Sequence, residues 1–393
     1  MFKVKTYNQI SIKGLERFCR EKYEVGSDIG HPDAILLRSQ KLHDEPIADS
    51  VLAVARAGAG VNNVPIDAYS KKGIVVFNTP GANANAVKEL VLAGLLLGSR
   101  GIKSGIDHVN TLANVKDAGA LHKMLEAQKK QFAGNELMGK TLGIVGLGAI
   151  GSLVADMALA LGMKVVGFDP ALSIEAAWRL SSEVEKAENL PSLLSRSDYV
   201  TLHVPAIEPT YHLLNDDALK QAKPNLTLVN FARETIVDPQ AIVNALAAGQ
   251  LKSYICDFPE PCFFGNENII AMPHIGASTA EAEENCAMMA ADQLMDFLEN
   301  GNILNSVNFP RVRMARCEGQ RIIFANENVP KVLGNVLSIL ADHNVNIIDM
   351  VNKSRDDLAY NILDVEQMPN NDVLGVIKVI QQIEHVISVR ILD

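Results

Sequence analysis

The sequence has few cysteines, few aromatic residues and no long apolar run. Its five cysteines are odd in number and show no Cys-x-x-Cys spacing, so neither a disulfide framework nor a metal site is predicted. The longest apolar run, from Leu90 to Gly98, is about half the length that a membrane-spanning helix needs. The first ten residues lack the charged and apolar regions of a signal peptide. We therefore expect a reduced, cytoplasmic protein with no membrane partner.

Basic residues are also fewer than acidic ones. The chain has 36 basic and 46 acidic residues, a formal net charge of −10, which argues against a general nucleic-acid surface. A local cationic pocket for a small anion is still compatible with this balance. At 393 residues the chain is too long for one hydrophobic core, and we expect two or three domains.

Short apolar runs alternate with helical patterns over most of the chain, which is typical of parallel sheets covered by helices. This rhythm predicts an α/β fold with two doubly wound, Rossmann-like domains. We expect a discontinuous substrate-binding domain of residues 1–92 and 281–310, and a cofactor-binding domain of residues 93–280. Two long helices, Ala84–Arg100 and Ala280–Asn300, are predicted where the chain passes from one domain to the other.

The pattern changes after an irregular linker at residues 304–319. Residues 320–393 predict a ferredoxin-like βαββαβ module, whose first helix runs from Val329 to Asp342 with Asn328 as N-cap and Pro330 in its first turn. We expect this module to be separable, so that truncation after Phe309 leaves an active enzyme. Its open sheet edge predicts pairing between chains and a homodimer or homotetramer.

A glycine-rich motif, Gly146-Leu-Gly148-Ala-Ile-Gly151, lies between a predicted strand and a predicted helix. The next predicted strand ends at Asp169, 18 residues after the last glycine. In this context the motif predicts a dinucleotide site, with the pyrophosphate at the helix N-terminus and the carboxylate on the adenosine ribose. A carboxylate there repels a 2′-phosphate, so NAD is preferred to NADP.

Three polar side chains follow successive predicted strands of the same domain. They are Arg233 in Asn230-Phe-Ala-Arg233, Glu260 in Cys256-Asp-Phe-Pro-Glu260, and His274 in Met272-Pro-His274. Arginine pairs with a carboxylate in bidentate geometry, while histidine accepts a proton and glutamate stabilises the imidazolium. Beside a nicotinamide, this set predicts dehydrogenation of a hydroxy acid.

The chain resembles the D-isomer-specific 2-hydroxyacid dehydrogenases over nearly its whole length. The segments that carry the resemblance are residues 56–67, 77–87, 139–151, 197–205, 230–233 and 273–279, together with Asn308-Phe-Pro. Leu37-Arg38-Ser39 and the C-terminal module, which looks like an ACT domain, resemble members that oxidise 3-phosphoglycerate in the first step of serine synthesis. Glyoxylate/hydroxypyruvate and erythronate-phosphate dehydrogenases, and an inactive NAD-binding relative, are the alternatives.

The resemblance implies roles for individual residues. It makes Arg233, Glu260 and His274 catalytic, although the segment from Asp257 to Glu260 is two residues shorter than in the family and leaves Glu267 as a second candidate. It assigns the substrate carboxylate to Arg233 and the backbone of Ala57 and Gly58, and the phosphate to Arg38, Ser39 and Asn83. Residues implied to line NAD are Gly146, Gly148, Ala149, Ile150, Gly151, Asp169, His203, Val204, Pro205, Phe231, Ala232, Arg233, Asp257, His274, Gly276 and Ala277.

Two departures from the family motifs bear on these expectations. Glu234 occupies the position after the arginine where the family has glycine, which adds a carboxylate near the site. In the C-terminal module, Asn326, Asn328 and Asn346 are implied to bind an amino-acid effector such as serine. There Asn326 replaces a histidine and Lys331 replaces a glycine, so a role in assembly alone is the other interpretation.

Overall fold

The structure is a computed structural model that describes residues 1–392, apart from the side chains at positions 175 and 370–372. The chain divides into two compact units. Unit 1 comprises residues 1–83 and the described residues from 280 onward, and unit 2 comprises residues 84–279. The finer division expected from the sequence, with boundaries at 92/93, 280/281 and 310 and a third domain at 320–393, stays a prediction, and residue 393 lies outside the described residues.

The N-terminal part of unit 1 is a parallel sheet with strand order β2-β1-β3-β4-β5. Its central strands are apolar and buried because helices and loops cover both faces of the sheet. The elements are β1 (Phe2–Thr6), α1 (Ile12–Leu15), β2 (Tyr23–Gly26), β3 (Ala34–Leu37), β4 (Ala53–Arg56), α2 (Ile66–Lys71) and β5 (Val75–Phe77).

Unit 2 is built on a parallel sheet with strand order β12-β11-β10-β9-β6-β7-β8. The order reverses around β6, and ligands of such sheets bind at the carboxyl ends of the strands near that reversal. The elements are α3 (Ala84–Ser99), α4 (Ile102–Thr111), α5 (Ala118–Gln128), β6 (Thr141–Val145), α6 (Ala149–Ala160), β7 (Lys164–Phe168), α7 (Ile174–Ala177), β8 (Val184–Lys186), α8 (Leu190–Arg196), β9 (Tyr199–Leu202), α9 (Asp216–Lys220), β10 (Leu226–Asn230), α10 (Pro239–Ala247), β11 (Leu251–Cys256) and β12 (Ile269–Ala271). Short 3₁₀ turns lie at Lys129–Phe132, Glu208–Thr210, Glu234–Ile236 and Pro261–Phe263.

The chain then completes unit 1. Helix α11 (Ala280–Asn300) places a stripe including Ala287, Ala291, Leu294 and Leu298 in the same hydrophobic cluster as residues of β3 and β4. An antiparallel sheet with strand order β14-β15-β13-β16 follows and confirms the predicted βαββαβ fold. Its elements are β13 (Gln320–Glu327), α12 (Val332–Asp342), β14 (Ile347–Arg355), β15 (Leu358–Val365), α13 (Asn370–Gln381) and β16 (Val386–Leu392).

This C-terminal module, residues 320–392, buries both faces of its central strands. Phe324 and Leu363 pack with α12 and α13, whereas Ile323, Tyr360 and Ile362 belong to the hydrophobic cluster that includes α11. The Tyr360 hydroxyl donates a hydrogen bond to the Gly301 carbonyl (2.8 Å). The module is therefore packed into unit 1, which argues against the expectation that it can be removed without consequence. Its relationship to ACT domains remains a prediction.

A buried ion pair joins the module to the preceding chain. Arg321 is fully buried, and its Nε and Nη2 donate to the two carboxylate oxygens of Asp364 at 2.6 and 2.7 Å. The same guanidinium donates to the carbonyls of Asn300, Met314 and Ala315. One buried side chain thus links β13 and β15 to the end of α11 and to the linker.

The start of α12 differs from the sequence-based prediction. The helix begins at Val332, and its N-cap is Lys331 in the left-handed region with φ +78°. Asn328 is not the N-cap, because its side-chain amide donates to the Asp356 carbonyl instead (3.1 Å). Asn and Pro are favoured at helix starts by intrinsic propensity. Here the hydrogen bond from Asn328 to the turn between β14 and β15 determines where the helix begins.

Within residues 1–392, no helix combines the length and the apolar character needed to cross a membrane. The same residues contain no group of three or more His, Cys, Asp or Glu side chains arranged to hold a metal ion.

Candidate active site

The glycine motif forms the turn between β6 and α6. Gly146 has φ +91°, and a Cβ atom there would lie only 2.5 Å from the His203 carbonyl oxygen. A Cβ on Gly151 would collide with the Gly146 carbonyl, whereas a Cβ on Gly148 would meet no atom within 4 Å. The open space above Gly148 lies at a helix N-terminus that has no side-chain cap in the described residues. This turn therefore has the room and the free N–H groups that a pyrophosphate needs.

Asp169 follows β7 and is fixed against the same turn. Its Oδ2 accepts a hydrogen bond from the Leu147 N–H (2.8 Å) and its Oδ1 accepts one from the Ala171 N–H (2.9 Å). A carboxylate has about four acceptor sites, so each oxygen keeps capacity for a ribose hydroxyl. The position and chemistry of this side chain fit the adenosine ribose of a dinucleotide.

His203 follows β9 and lies beside the turn. Its Nε2 is 3.0 Å from the Thr201 hydroxyl, and its buried Nδ1 has no hydrogen-bond partner among the described residues. Burial lowers the pKa of His203 to about 3, so the ring is neutral at pH 7. An unsatisfied polar atom at this depth is uncommon in a folded protein and fits a polar ligand.

Arg233 lies just beyond the end of β10. Asn230 holds this loop, since its side chain accepts from the Ala232 N–H (3.1 Å) and donates to the Arg233 carbonyl (2.9 Å). The Arg233 Nη1 donates to the Ala232 carbonyl (2.6 Å), and no carboxylate in the described part of the chain forms an ion pair with the guanidinium. Glu234, the unusual neighbour, is exposed at the start of the 3₁₀ turn and leaves Arg233 unpaired.

Asp257 organises the loop that carries His274. The Asp257 carbonyl accepts from the His274 N–H (2.8 Å), and its buried Oδ2 accepts from the Gly276 N–H (2.9 Å). Burial raises the pKa of Asp257, and its Oδ1 has no partner among residues 1–392. His274 has φ +32° and lies against the Phe258 ring, with centroids 4.9 Å apart. The imidazole is therefore exposed on a loop that backbone hydrogen bonds hold in place.

Glu260 and His274 lie beyond the ends of neighbouring strands, β11 and β12. Glu260 is half-buried and precedes the 3₁₀ turn Pro261–Phe263, while Glu267 is exposed further along that loop. Among the described residues, neither a hydrogen bond nor an ion pair links Glu260 to His274. The acid–base pair expected from the sequence accordingly stays a prediction.

Unit 1 holds the residues predicted to bind the substrate phosphate. Arg38 follows β3, and its Nη2 lies 2.5 Å from the Glu283 Oε1. The Ser39 N–H donates to the Asn8 side chain (2.9 Å), and Asn83 is half-buried at the end of this part of the chain.

The backbone groups predicted to bind the substrate carboxylate already have partners. The Ala57 N–H donates to the Leu37 carbonyl (2.8 Å) and the Gly58 N–H to the Arg56 carbonyl (2.9 Å). Arg56, beside these groups, was not predicted from the sequence as a site residue. Its Nε donates to the Arg38 carbonyl (3.0 Å), and its guanidinium fills the space that a Cβ on Gly58 would need. The sequence signal that could have identified Arg56 is its position in the Arg-Ala-Gly segment, which is one of those that carry the family resemblance.

The three predicted effector asparagines are separately engaged. The Asn326 side chain donates to the Glu327 carbonyl and accepts from Asn361, while Asn346 donates to the Glu366 carboxylate. No hydrogen bond within residues 1–392 joins any two of Asn326, Asn328 and Asn346. These contacts bring no effector site together.

Comparison with known proteins agrees with the site in unit 2. Residues 107–276 match the family model described as "D-isomer specific 2-hydroxyacid dehydrogenase, NAD binding domain". D-3-phosphoglycerate dehydrogenase of Haemophilus influenzae is 34% identical over 357 residues, covering 88% of this chain and 82% of the relative. The Escherichia coli K12 enzyme of the same name is 35% identical over 332 residues, covering 81% and 76% of the two chains.

Solved structures agree as well. NAD⁺-bound 3-phosphoglycerate dehydrogenase of Entamoeba histolytica superimposes with a TM-score of 0.60 at 27% identity, covering 78% of this chain and 98% of that one. Apo D-mandelate dehydrogenase of Rhodotorula graminis gives a TM-score of 0.65 at 24% identity, covering 78% and 97%, and shows the fold alone. The chain is a member of the D-isomer specific 2-hydroxyacid dehydrogenase family, an NAD-dependent oxidoreductase whose residues 107–276 match the family's NAD binding domain.

Proposed function

We propose that the chain oxidises 3-phospho-D-glycerate to 3-phosphohydroxypyruvate, the first step of phosphorylated serine synthesis. The observation that carries the proposal is the 34% identity to a D-3-phosphoglycerate dehydrogenase across 88% of the chain, which includes residues of both units. An arginine directly after β3 supports it, because a phosphorylated substrate needs a cation that an unphosphorylated acid does not.

Arg233 binds the substrate carboxylate in this proposal. Its guanidinium has no carboxylate partner in the described structure and is held at a strand end by Asn230. The planar guanidinium fork matches a carboxylate in bidentate geometry, which orients the carbon that carries the hydroxyl group.

His274 accepts the hydroxyl proton as the C2 hydride leaves the substrate, and Glu260 stabilises the resulting imidazolium. Bound NAD supplies the hydride acceptor. The exposed imidazole lies on the loop that Asp257 holds through two hydrogen bonds. Because no hydrogen bond or ion pair joins Glu260 and His274 in the described structure, their pairing belongs to the substrate-bound state in this proposal.

The proposed cofactor contacts use polar groups of unit 2 that have hydrogen-bonding capacity left in the described structure. The free amides of Ala149 and Ile150 at the start of α6 receive the pyrophosphate, and Asp169 receives the ribose. The unpaired His203 Nδ1 and Asp257 Oδ1 are polar atoms that NAD is able to satisfy. Of the other predicted lining residues, the three motif glycines belong to the turn between β6 and α6, and the rest belong to the loops after β9, β10 and β12.

In this proposal Arg38, Ser39 and Asn83 bind the substrate phosphate. The backbone N–H groups of Ala57 and Gly58 join Arg233 in binding the substrate carboxylate. The two backbone N–H groups donate to carbonyls here, so substrate must share or replace those hydrogen bonds. This part of the proposal depends most on Arg38, because it is the only full charge among the five.

A substrate panel tests the function directly. NAD reduction is measured with 3-phosphoglycerate, D-glycerate, other D-2-hydroxy acids and erythronate 4-phosphate, and we expect the highest kcat/KM for 3-phosphoglycerate. A preference for glycerate or for the erythronate phosphate would move the chain to another specificity of the family. Absence of turnover with every acid would identify an inactive NAD-binding relative.

Arg38→Ala gives the residue-level test. Loss of a charge-assisted phosphate contact costs about 1.5–3 kcal/mol, which raises KM for 3-phosphoglycerate about 10- to 150-fold while leaving D-glycerate much less affected. Arg20→Ala, at an exposed arginine of the same unit, is the matched control. Equal effects of Arg38→Ala on both substrates would refute its role in reading the phosphate.

Serine inhibition and homodimeric or homotetrameric assembly complete the proposal. Activity against millimolar serine, with sedimentation of the same samples, separates an effector role of the C-terminal module from assembly alone. Because the three asparagines are already engaged, a serine response requires their hydrogen bonds to rearrange.

A further inference from the structure

The arginine proposed to hold the substrate phosphate already carries an anionic partner. Arg38 Nη2 lies 2.5 Å from Glu283 Oε1, and both side chains are 43% exposed. Glu283 belongs to the first turn of α11, which returns the chain to unit 1. A carboxylate therefore occupies one of the guanidinium positions that a phosphate oxygen would use.

The surrounding charges make this carboxylate important. Arg56 lies next to Arg38, because its Nε donates to the Arg38 carbonyl (3.0 Å). With Glu283 ionised, these three groups sum to one positive charge, and without it they sum to two. The neighbouring Glu284 is different, since it pairs with Lys13 at 2.6 Å. Two adjacent glutamates of one helix thus have unlike partners.

We propose that Glu283 competes with the substrate phosphate for Arg38 and so sets the KM for the phosphorylated substrate. This inference rests on the proposed function, because it takes Arg38 as the phosphate contact. Half-exposed ion pairs contribute little to stability, so a phosphate dianion is able to displace the carboxylate. The displaced carboxylate stays nearby and repels the phosphate, whereas a substrate without a phosphate does not meet this repulsion.

Glu283→Gln keeps the size of the side chain and removes its charge. We expect KM for 3-phosphoglycerate to fall about 3- to 10-fold, from screened like-charge repulsion over a few ångströms. kcat and the KM for D-glycerate should stay within about two-fold, since neither involves a phosphate in this competition. Glu284→Gln is the matched control and should change none of these constants. In an Arg38→Ala background, Glu283→Gln should lose the part of its effect that comes from competition for Arg38, and the gain should be smaller than in the wild type.

Salt separates competition from a positioning role. The gain from Glu283→Gln should shrink as ionic strength rises, because screening weakens the repulsion that the substitution removes. A higher KM in Glu283→Gln would show that Glu283 holds Arg38 in place, and an unchanged KM would show that the two anions do not compete. Either result overturns the inference.

Direct binding keeps the inference separate from the proposed function. Titration calorimetry of 3-phosphoglycerate without NAD should show tighter binding to Glu283→Gln than to the wild type. If no variant turns over 3-phosphoglycerate but this difference in binding persists, the proposed function fails and the inference stands. If turnover is normal and the binding difference is absent, the inference alone fails.

Discussion

Replacing Asp364 with Asn removes one charge from an ion pair that is almost completely buried. Arg321 and Asp364 have side-chain exposures of 0% and 2%, and two of the Arg321 nitrogens donate to the carboxylate. Breaking such a pair from one side leaves a buried guanidinium without its counter-charge, which costs about 3–5 kcal/mol. The carbonyls of Asn300, Met314 and Ala315 still accept from Arg321, so we expect the lower half of this range.

Urea unfolding followed by far-ultraviolet circular dichroism measures the loss. With a slope of about 2–3 kcal/mol per molar urea, the midpoint for unit 1 should fall by about 1–2 M. Unit 2 has its own core and need not unfold in the same transition, so near-ultraviolet signals serve to separate the two steps.

The pH dependence provides a second readout. Burial alone would raise the pKa of Asp364, but hydrogen bonds from Arg321 and the Cys317 N–H outweigh it and hold the pKa below its usual value. A carboxyl group with a depressed folded-state pKa contributes stability above its unfolded value of about 3.9 and loses it as pH falls through the folded value. Asp364→Asn should therefore weaken the acid sensitivity of unit 1 below about pH 4.

Asp292→Asn is the matched control, because Asp292 pairs with Arg17 on the exposed surface of the same unit. It should leave the urea midpoint unchanged. A wild-type midpoint in Asp364→Asn would refute the reasoning, since it would mean that the pair is solvated or that its charges are not needed.

The remaining predictions concern the proposed proton acceptor His274, the cofactor preference and one strained backbone position. His274→Asn should lower kcat by about 10²–10⁴-fold while NAD affinity, measured by titration, barely changes, and near-normal turnover would exclude the proposed proton acceptor. Asp169→Ala should raise KM for NAD and the relative use of NADP, and an unchanged ratio of the two kcat/KM values would place the discrimination elsewhere. Lys331→Gly should raise the urea stability of the C-terminal module by about 0.5–1 kcal/mol, because glycine tolerates φ +78°, whereas Lys331→Ala keeps the strain and should bring no gain.

The strands of unit 2 were predictable because parallel, fully buried strands are continuous apolar runs. The strands Thr141–Val145, before the glycine motif, and Lys164–Phe168, before Asp169, lie where the sequence predicts them. The glycine motif was also predictable, since Gly146 and Gly151 each meet a local steric demand at the turn and Gly148 leaves open space above it. These features depend on neighbours in sequence, which is the information that a single chain provides.

Features that depend on distant partners were not predictable. Arg321 precedes an apolar strand segment, and nothing nearby in sequence indicates a carboxylate 43 residues later. The same holds for Glu283 and Arg38, which are 245 residues apart. The start of α12 was missed because Asn328 bonds across to Asp356 rather than capping its own helix. The packing of the C-terminal module on α11 was also not predictable, because the irregular sequence of the linker between them gives no indication of it.

Unit 1 is discontinuous in sequence, because unit 2 is inserted between its two parts. The first strands of unit 1 are therefore made well before the residues that cover them. Apolar side chains of β3 and β4 are covered by Leu294 and Leu298 of α11, and part of that cluster comes from β13 and β15 later still. At about 5–20 residues per second, a ribosome needs about 10–40 s to make residues 84–279 in between. Unit 2 is thus able to complete its sheet on the nascent chain while the N-terminal sheet is still without its cover. The newly made chain is most exposed to aggregation until that cover is made. We therefore expect its dependence on chaperones to end with the synthesis of residues 280–392 and not with that of residues 84–279.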